Sequence, residues 1–268
     1  MNKFICFILI IISLSSCSEY QKALKSEDLA LKSKTANDLY EKGKYTKALR
    51  LYEQIIPAYR GKPQAERLFY MFSKSYYNTK QYYLAGYQFE SFASSYPKSE
   101  KREEAAFLGA ECFYRLSPRY SLDQIDTEKA LSKLQKFIDT YPDSEYLPKA
   151  NEYVKELREK LEKKAFEIAK QYYTISDHRL EYNAALKALD NFISDYPGTP
   201  FKEEALFLKF STAYKLAINS VEYKKEDRLN LAKTMYNSFI KFNAESQFKP
   251  KADTMLATID KELQQFSK

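Results

Sequence analysis

Residues 190–208 read DNFISDYPGTPFKEEALFL, and residues 90–108 read ESFASSYPKSEKREEAAFL. Phe, Tyr-Pro, a polar gap and Glu-Glu-Ala fall at the same offsets in both. Self-similarity of this kind constrains a chain more than any single motif. It means that one supersecondary unit is written several times and must bury its apolar face against its own neighbours. Phe92, Phe137 and Phe192 set the register. Each is followed four residues on by Tyr and then Pro (Tyr96-Pro97, Tyr141-Pro142, Tyr196-Pro197), and eight residues after each Pro stands Ala (Ala105, Ala150, Ala205). Two weaker copies flank these three, one around Ile55 and Tyr59 and one around Phe239 in SFIKFNAES.

Within a copy the period is helical. GKYTKALRLYEQI places Tyr45, Ala48, Leu49, Tyr52 and Ile55 at three- and four-residue steps, and QYYLAGYQFESF does the same with Tyr82, Ala85, Phe89 and Phe92. The Tyr-Pro step ends a helix, because proline disfavours helical geometry in the residue before it. The Asp, Ser, Thr and Gly that follow are turn and cap residues, and Glu103-Glu104 and Glu203-Glu204 suit a helix's first turn. Gly43-x-Tyr45-x-x-Ala48-x-x-x-Tyr52 resembles the tetratricopeptide repeat, with Pro97, Pro142 and Pro197 at its terminal proline position and Phe69 where that motif often has Trp. The expected fold is all-α, a superhelical solenoid of about five tetratricopeptide-like helix pairs with a concave groove. The repeats are expected near 29–62, 63–99, 100–144, 145–199 and 200–246 of a domain over 29–268, closed by a capping helix over 247–268. Between repeats three and four, YVKELREKLEKKAFEIAKQYY (Tyr153 to Tyr173) contains no helix breaker and predicts one unusually long helix with a solvated charged face.

Composition narrows function. The 43 Lys and Arg against 36 Asp and Glu give a formal charge of +7, dispersed along the chain, which does not suggest a nucleic-acid partner. Five glycines leave no phosphate-binding loop, and no Gly-x-Ser-x-Gly is present. The one histidine, His178 in ISDHRLEY, is expected in a loop, and Cys and His are too few for a zinc site. No catalytic constellation, metal site or cofactor is predicted, so the expected function is binding.

The N-terminus MNKFICFILIIISLSSC has a basic start at Lys3 and an apolar run from Phe4 to Ile12, which is short for a bilayer of ~30 Å. It reads as an export signal over 1–16. Leu-Ser-Ser-Cys resembles the bacterial lipobox, which implies lipid attachment at Cys17, a lipidated linker over 17–28 and anchoring through acyl chains. Cys6 leaves with the signal, so Cys112 is the one thiol left. It is expected to be buried and inert.

The first helix of each pair should line the groove. That places Tyr40 of the first repeat there, with Arg67, Tyr70, Lys74 and Tyr77 of the second. Rings beside cations suit an extended peptide carrying aromatic and carboxylate groups. Ser117 to Gln124 is an insertion between the helices of the third copy, with Pro118 as the breaker, and it offers a candidate contact surface through Arg119 and Tyr120.

The lipobox, CSEYQK at the mature start, five Tyr-Pro-punctuated repeats, SPRYSLDQ and LREKLEKKAFEIAKQYY together resemble the BamD family of outer-membrane assembly lipoproteins, in its Bacteroidetes branch. The resemblance implies a lipoprotein on the periplasmic face of the outer membrane. Its C-terminal repeats would bind a BamA-like barrel subunit, its N-terminal repeats would receive the aromatic-ended targeting segment of unfolded outer-membrane proteins, and other assembly lipoproteins would be possible partners. It also implies a basic contact residue in the first helix of the last full repeat. Lys215 in TAYKLA stands there, a point charge without the bidentate fork of Arg. Two rival readings share the repeat architecture: a glycan-binding lipoprotein, which the absence of Trp disfavours, and a scaffold for cell division or peptidoglycan synthesis.

Overall fold

A computed structural model describes residues 19–266. Twelve helices and no strands occur among the described residues. They are α1 (residues 19–25), α2 (Leu29–Glu41), α3 (Tyr45–Tyr59), α4 (Ala65–Asn78), α5 (Tyr82–Ser95), α6 (Arg102–Leu116), α7 (Ile125–Thr140), α8 (Leu147–Arg179), α9 (Tyr182–Asp195), α10 (Lys202–Ile218), α11 (Glu222–Phe242) and α12 (Lys249–Leu263). The sequence expectation of an all-α chain of tetratricopeptide-like pairs holds. Cys17 and the signal expected over 1–16 lie outside the described residues.

The chain forms two compact units. The first runs to Pro118 and resumes over Leu122–Leu157; the second holds Arg119–Ser121 and everything from Arg158 onward. In the first, α2/α3, α4/α5 and α6/α7 pack in succession around Tyr52, Phe89, Phe92, Phe113 and Leu134, and the start of α8 adds Ala150, Tyr153 and Leu157. The short α1 belongs to this core: Tyr20 and Ala23 are buried, and Lys47 stands over the Tyr20 ring at 5.3 Å. In the second, the later turns of α8, then α9, α10, α11 and α12, surround Phe166, Leu189, Phe210 and Phe239.

The Tyr-Pro steps do what the sequence predicts. Tyr96, Tyr141 and Tyr196 are the C-cap residues of α5, α7 and α9. Their near-identical backbone angles (φ/ψ −122/67, −132/67 and −126/66) leave the helix while each N–H still donates to the carbonyl of Phe92, Phe137 or Phe192. The long helix is present as α8, 33 residues without interruption. Gly43 has φ 68, the left-handed geometry that suits glycine, and its N–H donates to the Tyr40 carbonyl. One local expectation fails. His178 is an exposed residue in the last turn of α8 rather than in a loop, because the chain turns only at Leu180, whose φ is 54. Cys112 is fully buried, and burial pushes its thiol up to about 12, so it is unreactive at neutral pH.

Candidate functional site

The turns after α5, α7 and α9 carry Ser or Thr two residues beyond the proline, and the turn after α11 carries Ser at the matching place. Each hydroxyl oxygen accepts the backbone N–H two residues on: Ser99 from Lys101 (3.0 Å), Ser144 from Tyr146 (3.0 Å), Thr199 from Phe201 (3.3 Å) and Ser246 from Phe248 (3.2 Å). Three of these hydroxyls also donate back to a glutamate in the first helix of the preceding pair: Ser99 to Glu66, Ser144 to Glu103 and Ser246 to Glu203, each at 2.5 Å. The turns thereby fix what the residue two places after the hydroxyl meets. At three junctions that residue is aromatic and lies flat on a first-helix aromatic. Tyr146 stacks on Phe107 (4.7 Å between centroids, 14° between planes), Phe201 on Phe166 (5.1 Å, 9°) and Phe248 on Phe207 (4.8 Å, 9°). Each pair is an aromatic clasp that closes one repeat onto the next.

The fourth junction lacks its clasp. The first-helix aromatic is Tyr70 on α4, set at 61° against Phe92 (5.5 Å), close to the 59° of Phe107 on Phe137 and the 56° of Phe207 on Phe239. The residue that should lie flat on it is Lys101, whose ammonium stands 5.7 Å from the ring. A cavity of about 440 Å³ remains, walled by Tyr40, Arg67, Tyr70, Met71, Phe92 and Lys101, with Glu41, Glu66 and Pro63 at its rim. The structure thus gathers Tyr40, Arg67 and Tyr70, three of the five groove residues expected from sequence. Arg67 is exposed, exposed Lys101 pairs with Glu104 at 2.9 Å, and the Glu66 carboxylate accepts from Ser99. Burial and the nearby Tyr45, Glu41 and Glu104 push the Tyr40 phenol up to about 12, and burial with the Glu104 carboxylate drives Tyr70 higher still. Both rings are therefore neutral, apolar faces beside the Arg67 guanidinium and the Lys101–Glu104 pair. Burial alone would raise the Glu104 carboxyl, but its hydrogen bonds from Tyr70 and Lys101 and the charge of Lys74 hold it below its ordinary value.

Lys74 and Tyr77, the other two expected groove residues, do not line this cavity. Lys74 pairs with Glu104 (3.6 Å) and stands over the Tyr77 ring. The Tyr77 hydroxyl donates to buried Glu111 (3.0 Å), which also accepts from Arg115 (2.7 Å) and Tyr153 (2.9 Å), so Tyr77 is engaged within the packing of its unit. The residue that sequence reasoning missed is Lys101. Its signal was readable, since four residues after each proline stand Lys101, Tyr146 and Phe201, one cation among aromatics.

The insertion forms a turn between α6 and α7, as predicted. Ser117 and Thr127 hydroxyls meet at 2.6 Å, and Gln124 ties the end of the turn through Thr127 and the Leu122 carbonyl. Arg119 is exposed, and the Tyr120 ring carries the Lys163 ammonium at 4.5 Å. Lys215, in the last turn of α10, is half-buried. It pairs with Asp177 at 2.5 Å and lies 4.4 Å over the Tyr173 ring. Burial opposes its charge, but the Asp177 carboxylate and Tyr173 raise its pKa above the usual lysine value. Among the described residues no group of His, Cys, Asp and Glu is placed to hold a metal ion, and no helix is long and apolar enough to cross a membrane.

Comparison with known proteins settles the family. The profile of the YfiO family, described as outer membrane lipoprotein, matches residues 30–179, from α2 to the end of α8. The chain belongs to that family. Within it, the chain is 23% identical over 222 residues to the outer membrane protein assembly factor BamD of Caulobacter vibrioides, covering 80% of this chain and 70% of that protein. It is 28% identical over 185 residues to a BamD-type relative in Aquifex aeolicus, covering 69% of this chain and 57% of the relative. A crystal structure of tetratricopeptide-like repeats from a Podosopora anserina kinesin light chain covers 82% of this chain and 98% of its own at 12% identity, with a TM-score of 0.32; similarity at that level adds nothing to what the helices show.

Proposed function

We propose that this YfiO-family chain is a lipid-anchored scaffold of outer-membrane barrel assembly, facing the periplasm. In this reading acylation at Cys17 holds it to the membrane and raises the local concentration of its binding surfaces there. The cavity of Tyr40, Arg67, Tyr70 and Lys101 receives the extended C-terminal segment of an unfolded outer-membrane protein. The client's terminal aromatic ring takes the place of the missing clasp residue, flat on Tyr70, and its carboxylate lies between Arg67 and Lys101. Rings give the apolar contact and the cations give the salt-sensitive part. Arg119, Tyr120 and Lys215 are the proposed contacts to a BamA-like barrel subunit. Lys215 would exchange the Asp177 carboxylate for one on that partner.

The observation that supports this best is the open clasp, a cavity beside Arg67 and Lys101 at one of the four junctions that follow α5, α7, α9 and α11. The assembly role of the curated relatives supplies the client class. The reading calls for no catalytic step and no cofactor. Photo-crosslinkers placed at Arg67 and at Arg119 in intact cells test it. Unfolded barrel proteins should be captured at Arg67 and the barrel subunit at Arg119. Capture of folded division proteins at both positions, without barrel clients, would refute it.

A further inference from the structure

The clasps also put the first helices of four pairs in one register, with Tyr70, Phe107, Phe166 and Phe207 equivalent. Six residues further along each helix stand Tyr76, Phe113, Tyr172 and Ala213. Three of these are buried, at 8%, 2% and 2% exposure; Tyr172 is 44% exposed. The neighbouring positions agree: Gly109 and Phe72 are buried, whereas Ile168 is 46% exposed. One turn beyond Tyr172, Ile175 is 49% exposed. The pair formed by α9 and the later turns of α8 therefore shows a bare apolar face. A cavity of about 510 Å³ lies along it, floored by Ala165, Ala169, Ala184 and Ala188.

The chain itself shows what this face is built to receive. On each of the other three pairs it is covered by the second helix of the pair before: α3 on α4, α5 on α6 and α9 on α10. Those covering helices share a pattern. A buried large residue is followed at once by an acid: Tyr52-Glu53, Phe89-Glu90 and Leu189-Asp190. The acid reaches a donor on the receiving pair, Glu53 accepting from the Tyr76 hydroxyl (2.8 Å), Glu90 from Lys133 (2.5 Å) and Asp190 from Lys209. The Phe89 Cβ packs at Gly109, two residues beyond Phe107, the place that Ile168 holds beyond Phe166. Where α5 crosses Phe113 it carries Gly86, whose missing Cβ would sit 2.9 Å from that ring. The second helix before the α8/α9 pair is α7, and it belongs to the first unit, where Leu134 and Phe137 share a core with Ala150, Tyr153 and Leu157 of the first turns of α8.

We propose that the bare α8/α9 face binds an amphipathic helix of a partner protein, seated as α3, α5 and α9 are on the pairs they cover. Its large apolar residue packs on Ile168, and the acid directly after it is held by the Tyr172 hydroxyl, the equivalent of Tyr76, with the exposed Lys187 as a second donor. The small residues of the floor let the helix approach closely. This surface shares no residue with the Tyr70 cavity or with Arg119, Tyr120 and Lys215.

The test uses the full-length protein in its membrane, with photo-crosslinkers at Ile168, Tyr172 and Ile175 and the captured peptide sequenced. The expected result is a segment of another protein with helical apolar spacing and an acid directly after a large apolar residue. Its yield should fall at least tenfold in Tyr172→Glu with Lys187→Glu, while the thermal midpoint of the purified variant stays unchanged. Capture of a second copy of this chain, of a segment without helical spacing or without the acid, or of nothing, would overturn the proposal. So would a yield that survives both substitutions.

Discussion

The Tyr70 and Phe207 junctions share one construction and part at the residue that closes it. In both, a turn serine accepts an N–H two residues on and donates to a first-helix glutamate, and in both a first-helix aromatic packs at a steep angle (61° and 56°) against the phenylalanine of its pair. At Phe207 the next residue in the design is Phe248, which closes the contact; at Tyr70 it is Lys101, which leaves a cavity. The turn sets position and the side chain at that position decides between glue and site. A repeat protein can therefore open a binding pocket at one junction without disturbing its neighbours, because each junction is stabilised by contacts to the adjacent repeat only.

The largest expected consequence is in stability. Phe207→Ala removes a buried ring from a closed clasp and should cost about 3–4 kcal/mol in denaturant unfolding. Tyr70→Ala, a half-buried ring at the open junction, should cost about half as much. Equal losses would mean that the two junctions are packed alike and the vacancy is not real.

Next come the serines. Ser246 is buried and donates to an ionised glutamate, so Ser246→Ala should cost about 2 kcal/mol, while Ser99→Ala, opposite exposed Glu66, should cost less than about 1 kcal/mol. This contrast has a pH signature. Hydrogen bonds from Ser246 and Asn243 hold the folded Glu203 carboxyl below the ordinary glutamate value. Its contribution is therefore complete above the unfolded value and is lost as pH falls through the folded one. The stability gap between the wild type and Ser246→Ala should narrow steadily below about pH 4.5, as followed by urea titrations from pH 6 to pH 3. A gap independent of pH would remove Glu203 from the account.

The smallest expected change is a gain. Lys101→Phe restores the clasp residue and should stabilise the first unit by about 1 kcal/mol, the scale of a stacked aromatic pair. Its thermal midpoint should rise by a few degrees. A loss would show that Phe cannot reach the Tyr70 face.

Much of this was legible in the sequence. Residues at three- and four-residue spacing gave the helices, Tyr96, Tyr141 and Tyr196 gave their ends, and the unbroken run through Tyr153–Tyr173 gave the long helix, because periodicity and proline act locally. His178 was misplaced because the turn at Leu180 is marked by neither Gly nor Pro. The groove was half legible. Counting back from the alanines found Tyr40, Arg67 and Tyr70, but it could not separate them from Lys74 and Tyr77, whose partners Glu104 and Glu111 come from the next repeat. Lys101 was missed for the same reason: its role depends on Tyr70, a residue of the preceding pair, and helical spacing within a copy carries no information across that junction.

The central claim is that the Lys101 junction is an aromatic site left open. It is tested most directly by titrating the mature protein with a labelled peptide that copies the C-terminal segment of an outer-membrane barrel protein and ends in a free phenylalanine carboxylate. The account predicts saturable binding that weakens with salt, falls at least tenfold when the terminal Phe is replaced by Ala, and is abolished in Lys101→Phe although that variant is the more stable protein. Undiminished binding to Lys101→Phe would contradict it.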